Sequence, residues 1–224
     1  MLNRLSGFAM LEVIWQWYRP FVNEFRNRFG LHPLKSRDFH QVLTSTPLLG
    51  AYSPRVIPHP QDWSDKAHIT GYWFQENFSG WHPSPELETF LEKGEAPVYV
   101  GFGSMAGRNP EHFARIVVEA LGISGRRGVI ATGWGGMSVM NVPENLFVLD
   151  SAPHGWLFPR MSAVVHHGGA GTTAEGLRAG KPTVIVPFIV DQLFWGKRVQ
   201  TLGAGGAPIP AKGWMADAWR ARNT

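Results

Sequence analysis

The chain has 224 residues, 44% of them hydrophobic and 17% charged, a globular composition with enough length for a substantial core, which excludes disorder as its main theme. A formal charge of +4 from scattered basic residues argues against a nucleic-acid partner, and zero cysteines exclude disulfides and thiolate metal sites. The longest uncharged apolar run, Thr183 to Val190, is too short to span a bilayer, and the N-terminus, interrupted by Glu12, does not read as a signal peptide.

Residues 5–29 place Leu11, Ile14, Trp15, Tyr18, Val22, Phe25 and Phe29 at helical spacing. This predicts two core-facing helices divided at Pro20 and stopped by Gly30. From Gly30 to Pro85 the pattern becomes irregular, with extended segments expected at Pro47 to Tyr52 and Ile69 to Phe74. Trp63, Tyr72, Trp73, Phe74 and Trp81 read there as packing residues.

Regularity returns at Ser84, which can cap a helix begun by Pro85 and ended by Gly94. Asn109 and Pro110 repeat the device for a helix ending near Gly122. Apolar strand candidates follow at Pro97 to Phe102, Gly128 to Thr132, Leu146 to Leu149, Ala163 to His166, Thr183 to Pro187 and Ala207 to Ile209. Strands this apolar, alternating with helices, predict an α/β fold: a Rossmann-like parallel sheet covered on both faces, with ligands at the carboxyl ends of the strands. Residues 1–83 form a helical and irregular N-terminal part, and 84–224 the Rossmann-like domain.

The segment from Ala163 to Gln192 carries the most chemistry. An apolar strand runs into Gly168, Gly169 and Gly171, where missing side chains let backbone N–H groups approach a ligand. Thr172 and Thr173 open a helix whose unpaired N–H groups and positive dipole end favour an anion. His167 enters the loop as a donor to phosphate oxygen, Glu175 lies one turn on, and Asp191-Gln192 follow the next strand. A phosphate seat flanked by two acids and an amide suits a ligand with both a diphosphate and sugar hydroxyls. Gly103-Ser104, after the first strand of the domain, can reach the same diphosphate from the opposite side.

These motifs resemble the donor-binding signature of nucleotide-sugar-dependent glycosyltransferases with two facing Rossmann-like domains, the GT-B architecture. HHGGAGTTAEGLRAGKPTVIVPFIVDQLFWGKRV is most similar to the sterol 3-beta-glucosyltransferase branch and its bacterial relatives, as are SPRVIPHPQDW, ITGYWF, PVYVGFGSM and APHGWLFPRMSAVVHH. The resemblance covers most of residues 40–212. It implies that Ser104, His167, Gly169, Gly171 and Thr172 hold the phosphates, that Glu175 binds the ribose, and that Asp191 with Gln192 binds the sugar. Ser151, Ala152 and His154 fall where relatives hold the base. Many plant members have tryptophan where Ser151 stands and glutamine where His154 stands, so base recognition is expected to rely on backbone near Ala152 and on Trp134 or Trp156.

The activity implied is inverting transfer of a sugar, glucose from UDP-glucose in the first instance, to a hydroxyl of a lipophilic alcohol such as a sterol. UDP-sugar is the co-substrate and no cofactor is expected. The family's catalytic base is a histidine in an N-terminal domain whose glycine-rich opening is absent here, so no residue of this chain is assigned that role. The expected partners are the sugar donor, the acceptor and the missing N-terminal half. The expected location is cytoplasmic, with aromatic residues and Arg19, Arg26 and Arg28 offering a peripheral membrane contact.

Two other classes remain open. A non-catalytic nucleotide-sugar-binding module needs the same donor residues. A NAD-dependent oxidoreductase fits GxGxxA at Gly169 to Ala174 with Asp191 downstream, but leaves His167, Glu175 and Gln192 without a role. Adjacent His166 and His167 on a strand point to opposite faces and do not predict a metal site.

Overall fold

The computed structural model describes residues 2–103, 110–133, 142–189 and 191–210. The chain divides into two compact units, Met1–Tyr72 and Trp73–Thr224.

The first unit contains α1 (Leu2–Arg28), α2 (Ser36–Ser45) and two short parallel strands, β1 (Leu48–Gly50) and β2 (Ala67–Ile69). Contrary to the sequence expectation, α1 is one helix that continues through Pro20. A proline removes a single backbone bond at a cost of about 3 kcal/mol, and the helix absorbs it here. Helix α2 lies in the segment read as irregular, and the strand expected at Ile69 to Phe74 ends at Ile69. The core-facing reading of α1 is also corrected. Trp15 is buried and stacked on Phe39 at 4.6 Å, whereas Ile14, Tyr18, Phe25 and Phe29 are exposed.

The second unit holds a five-stranded parallel sheet with strand order β5-β4-β3-β6-β7. Its strands are β3 (Val98–Gly101), β4 (Gly128–Ala131), β5 (Leu146–Leu149), β6 (Ala163–His166) and β7 (Thr183–Ile185). Helices α3 (Pro85–Glu92), α4 (Pro110–Ser124), α5 (His154–Leu157), α6 (Ala170–Arg178) and α7 (Gln192–Thr201) connect and cover it. The α3 start matches its signature, with the Ser84 hydroxyl accepting from the Leu87 N–H at 3.2 Å. Helix α4 runs past Gly122 to Ser124 and stops at Gly125, whose φ of 62° is left-handed. The N–H of Gly125 and that of Arg126 close the final turn onto Gly122 and Leu121. Ala207 to Ile209 forms no strand; one bond, from the Ile209 N–H to the Ile185 carbonyl at 2.9 Å, is all that the pattern yields.

Alternate residues of the strands feed two apolar layers. Val100, Phe102, Ile130 and Val186 pack with Val117 and Leu121 of α4 on one face. Tyr99, Val129 and Val164 pack with Leu157, Phe158 and Met161 on the other. Both faces being covered explains the near-continuous apolar strands. The chain goes outward from β3 to β4 and β5, then returns to place β6 on the other side of β3. The direction of winding therefore reverses between β3 and β6, where the loops diverge and leave a crevice at the carboxyl ends.

Candidate functional site

The loops bordering that crevice are Phe102-Gly103 after β3 and His167 to Gly169 after β6. Gly103 and His167 approach closely enough that a Cβ on Gly103 would stand 3.8 Å from the His167 ring. The β6 loop is shaped by its own side chains. His166 is fully buried and its Nδ1 accepts from the Gly168 N–H at 3.0 Å, which fixes the proton on Nε2, an atom with no partner among the described residues. Gly168 adopts φ 92°, and a Cβ there would meet Ile185 at 2.7 Å, so glycine is required by conformation and by space together. The His167 ring folds over Gly169, where a Cβ would lie 2.6 Å from Nε2.

Helix α6 begins earlier than the threonines suggest, with Gly169 as its N-cap. The Thr173 N–H and hydroxyl both bond the Gly169 carbonyl at 2.9 Å, so Thr173 closes the first turn. The N–H groups of Ala170, Gly171 and Thr172 precede the first such bond and stay open for an anion. Burial holds the His167 imidazole below its ordinary pKa, with the Asp191 carboxylate pulling it partly back. The His167 Nδ1 is buried and has no partner among the described residues.

Glu175 follows on α6, half-buried, and burial raises its pKa against the opposing pull of Arg178. Its Oε2 lies 3.7 Å from where a Cβ of Gly155 would be, so the acid stands beside the start of α5. Arg178 itself is paired with Glu76 at 2.7 Å and lies over the Phe74 ring.

After β7 comes the acid and amide pair. Asp191 is exposed and its Oδ2 accepts from the Trp195 Nε1 at 3.0 Å, leaving Oδ1 to a ligand. Gln192 is buried and its Oε1 accepts from the N–H groups of Phe188 and Ile189 at 2.7 and 3.0 Å. Much of Gln192 is thus spent on shaping the turn that carries Asp191, and its Nε2 amide is what remains for a hydroxyl.

On the opposite side of β3, the end of β5 leads through exposed Ser151 and half-buried Ala152 to His154, the first residue of α5. Trp156 packs between Trp81, at 5.0 Å, and the Arg160 guanidinium, at 4.1 Å, a packing role rather than a free stacking platform. Ser104 and Trp134 lie outside the described residues. Sequence reasoning did not single out Tyr99, which meets His154 from β3; a tyrosine within an apolar strand carries no signal of this. Among the described residues no cluster of potential metal ligands forms, and no helix is long and apolar enough to cross a membrane.

A strand, a glycine loop and a helix N-terminus meet at the winding reversal, with acids on both flanks. Residues 129–220 match the family described as Erythromycin biosynthesis protein CIII-like, C-terminal domain. That segment is similar to the C-terminal domain of this family, and the fold of the second unit matches that of GT-B C-terminal domains. A sterol 3-beta-glucosyltransferase of Arabidopsis thaliana is 44% identical over 92% of this chain and 34% of its own length. The O-mycaminosyltylonolide 6-deoxyallosyltransferase of Streptomyces fradiae is 41% identical over 94% of this chain and 49% of its own. Among solved structures, the glycotransferase of kitacinnamycin superposes with a TM-score of 0.64 at 19% identity, covering 92% of this chain and 54% of that one. The calicheamicin glycosyltransferase CalG4 gives a TM-score of 0.56 at 20% identity, over 86% and 51%. The α/β fold read from the sequence is therefore the fold observed, and the chain spans about a third to a half of the length of these curated relatives.

Proposed function

We propose that this chain supplies the donor site of an inverting glycosyltransferase that moves a sugar, glucose from UDP-glucose in the leading case, to a hydroxyl of a lipophilic alcohol such as a sterol. The observation that carries the reading is the anion seat at the β3/β6 crevice. There, three open N–H groups at the start of α6 lie next to the His167 ring, whose Nε2 stands beside Gly169, with Glu175 and Asp191 available for hydroxyls. Such donors stabilise the diphosphate as it leaves, which is where negative charge grows during transfer. Glu175 takes the ribose, Asp191 with the Gln192 amide takes the sugar, and the 151–154 segment faces the base.

Deprotonating the acceptor hydroxyl needs a general base, which the family resemblance assigns to an N-terminal domain. We therefore expect transfer to require an acceptor-binding half. The exposed apolar side chains of α1, among them Trp17, Phe21 and Phe25, support a partner of that kind, and a lipid surface is the rival occupant of the same face. A cytoplasmic location fits the absence of cysteine.

Calorimetric titration of the chain with UDP-glucose, TDP-glucose and NAD tests the donor reading. Saturable binding of a sugar nucleotide, with NAD inert, is expected; preferential binding of NAD would assign the site to an oxidoreductase. Full-rate glucosylation of a sterol by the chain alone would overturn the need for an acceptor half, and sugar-nucleotide binding without transfer in any combination would favour a sensing module.

A further inference from the structure

Helix α7 opens on Asp191, and its first turn lies directly against the glycine loop. A Cβ on Gly168 would stand 3.0 Å from the Gln192 carbonyl oxygen and 3.3 Å from the Gln192 Cβ, and the Asp191 carboxylate is close enough to the His167 ring to act on its charge. An aspartate at an N-cap ordinarily takes an extended backbone and turns its carboxylate onto the free N–H groups of the first turn. Asp191 does neither. Its φ of −82° and ψ of −12° are helical, and its side chain makes no cap bond.

With Asp191 in a helical conformation, the residue four further on falls on the same side of α7, and that residue is Trp195. The indole is 7% exposed, and a buried indole has one N–H to satisfy. It donates to the Asp191 Oδ2 at 3.0 Å. Of the two partners the indole is the fixed one. A Cβ on Gly196, the next residue, would lie 2.7 Å from Pro208 and 3.3 Å from Ile185, so α7 is pressed against the end of β7 here, and Val199, one turn on, is fully buried. Asp191 is exposed. The bond therefore orders the carboxylate rather than the indole.

An exposed aspartate without such a bond samples several rotamers, and ordering it when a ligand arrives costs affinity. Held by Oδ2, Asp191 offers Oδ1 in one setting. Gln192 beside it is committed in the complementary sense, with Oε1 taken by the Phe188 and Ile189 N–H groups, so the turn presents an accepting oxygen from one residue and amide donors from the other. A carboxylate oxygen can only accept. Its partner is a hydroxyl that donates, and a deoxygenated carbon at that place would leave the charge unpaired.

We propose that Trp195 is a positioning residue for the donor's sugar, holding Asp191 by Oδ2 so that Oδ1 is set in advance for a single sugar hydroxyl. The inference rests on the donor site proposed above, in which Asp191 takes the sugar, and adds the residue that aims the acid and the reason this N-cap aspartate does not cap.

The test is titration of the whole chain with UDP-glucose and with UDP, in the unaltered protein and in Trp195→Phe, Asp191→Ala and the double variant. Phenylalanine keeps a buried aromatic ring and lacks the N–H. Trp195→Phe should weaken UDP-glucose about 5–10-fold, the range of one hydrogen bond, and leave UDP unchanged. Asp191→Ala should weaken UDP-glucose at least as much, and Trp195→Phe should be silent in its background, because the indole then has nothing to aim. A tryptophan that only packs would move both ligands together or neither. In the unaltered chain the Trp195 indole N–H resonance should shift on adding UDP-glucose and hold still with UDP, a readout that stands even if Trp195→Phe does not fold. Equal loss of both ligands, an additive double variant or an indole resonance indifferent to the sugar overturns this proposal alone. Failure of the unaltered chain to bind either ligand removes the donor site and this proposal with it.

Discussion

In the second unit Val129, Ile130 and Val164 have no exposed surface, because helices cover both faces of β4 and β6. In the first unit α1 leaves Trp17 81%, Phe21 70% and Phe25 63% exposed. Both segments are rich in apolar residues at regular spacing. The difference teaches that periodicity identifies a face to be covered without saying what covers it. A central parallel strand brings its own cover, because the crossover helices that build the sheet lie on it. A helix such as α1 depends on whatever polypeptide or lipid is at hand.

The largest expected effect breaks the contrast at its buried end. Val164→Asp places a charge in the middle of the sheet and should cost more than about 4 kcal/mol, enough to abolish folding. Trp17→Ser on α1 should change stability by no more than about 0.5 kcal/mol. Thermal denaturation followed by circular dichroism separates the two, and a comparable loss in both would mean that α1 is buried after all.

Next comes the glycine loop. Gly168→Ala combines a left-handed φ with a contact to Ile185, and nucleotide affinity should fall at least ~10-fold with a lower melting temperature. Gly171→Ala has open space around it and lies within α6, so the melting temperature should hold or rise, by about 0.5–1 kcal/mol in stability. Its added methyl still stands where the ligand approaches, so binding should weaken. A Gly171→Ala variant that binds normally would argue that the anion does not contact this turn.

The buried histidines make the second unit acid-sensitive. Burial lowers the His166 pKa to about 3 and that of His154 to about 4, so each is depressed below the ordinary value of a free histidine. Between those values and about 6.5 the unfolded chain holds the extra protons. Stability therefore rises with pH through this window, and on acidification each buried ring removes on the order of 1 kcal/mol per pH unit. Chemical denaturation midpoints at pH 7, 6 and 5 should fall in that order, and a flat profile would contradict the burial of both rings. The smallest effect belongs to the surface: Arg178→Ala, losing the exposed Glu76 pair and the Phe74 ring, should cost about 1 kcal/mol or less.

What the sequence revealed follows the same division. Strands β3 to β7 were legible because they are covered on both faces and bounded by turn residues. The extent of α1 was not, since a proline signals a break that a long helix can override. Nor was α2, whose three spaced apolar residues, Phe39, Val42 and Leu43, are too short a repeat to signal a 10-residue helix. At the site, His167, Gly169, Gly171 and Thr172 were legible as a loop feeding a helix, because backbone geometry there demands particular residue types. The inward turn of the Gln192 oxygen, the closing role of Thr173 and the Tyr99–His154 contact were not, since each depends on which distant atoms the fold brings within 3.5 Å.

The central claim is that the β6 loop and the α6 N-terminus bind a diphosphate whose sugars are gripped by the flanking acids. Calorimetric titration of UDP-glucose into the unaltered chain and into a His167→Ala/Glu175→Ala variant of unchanged melting temperature tests it most directly. The account predicts measurable affinity in the first and a loss of about 100-fold or more in the second; equal affinity in the two would contradict it.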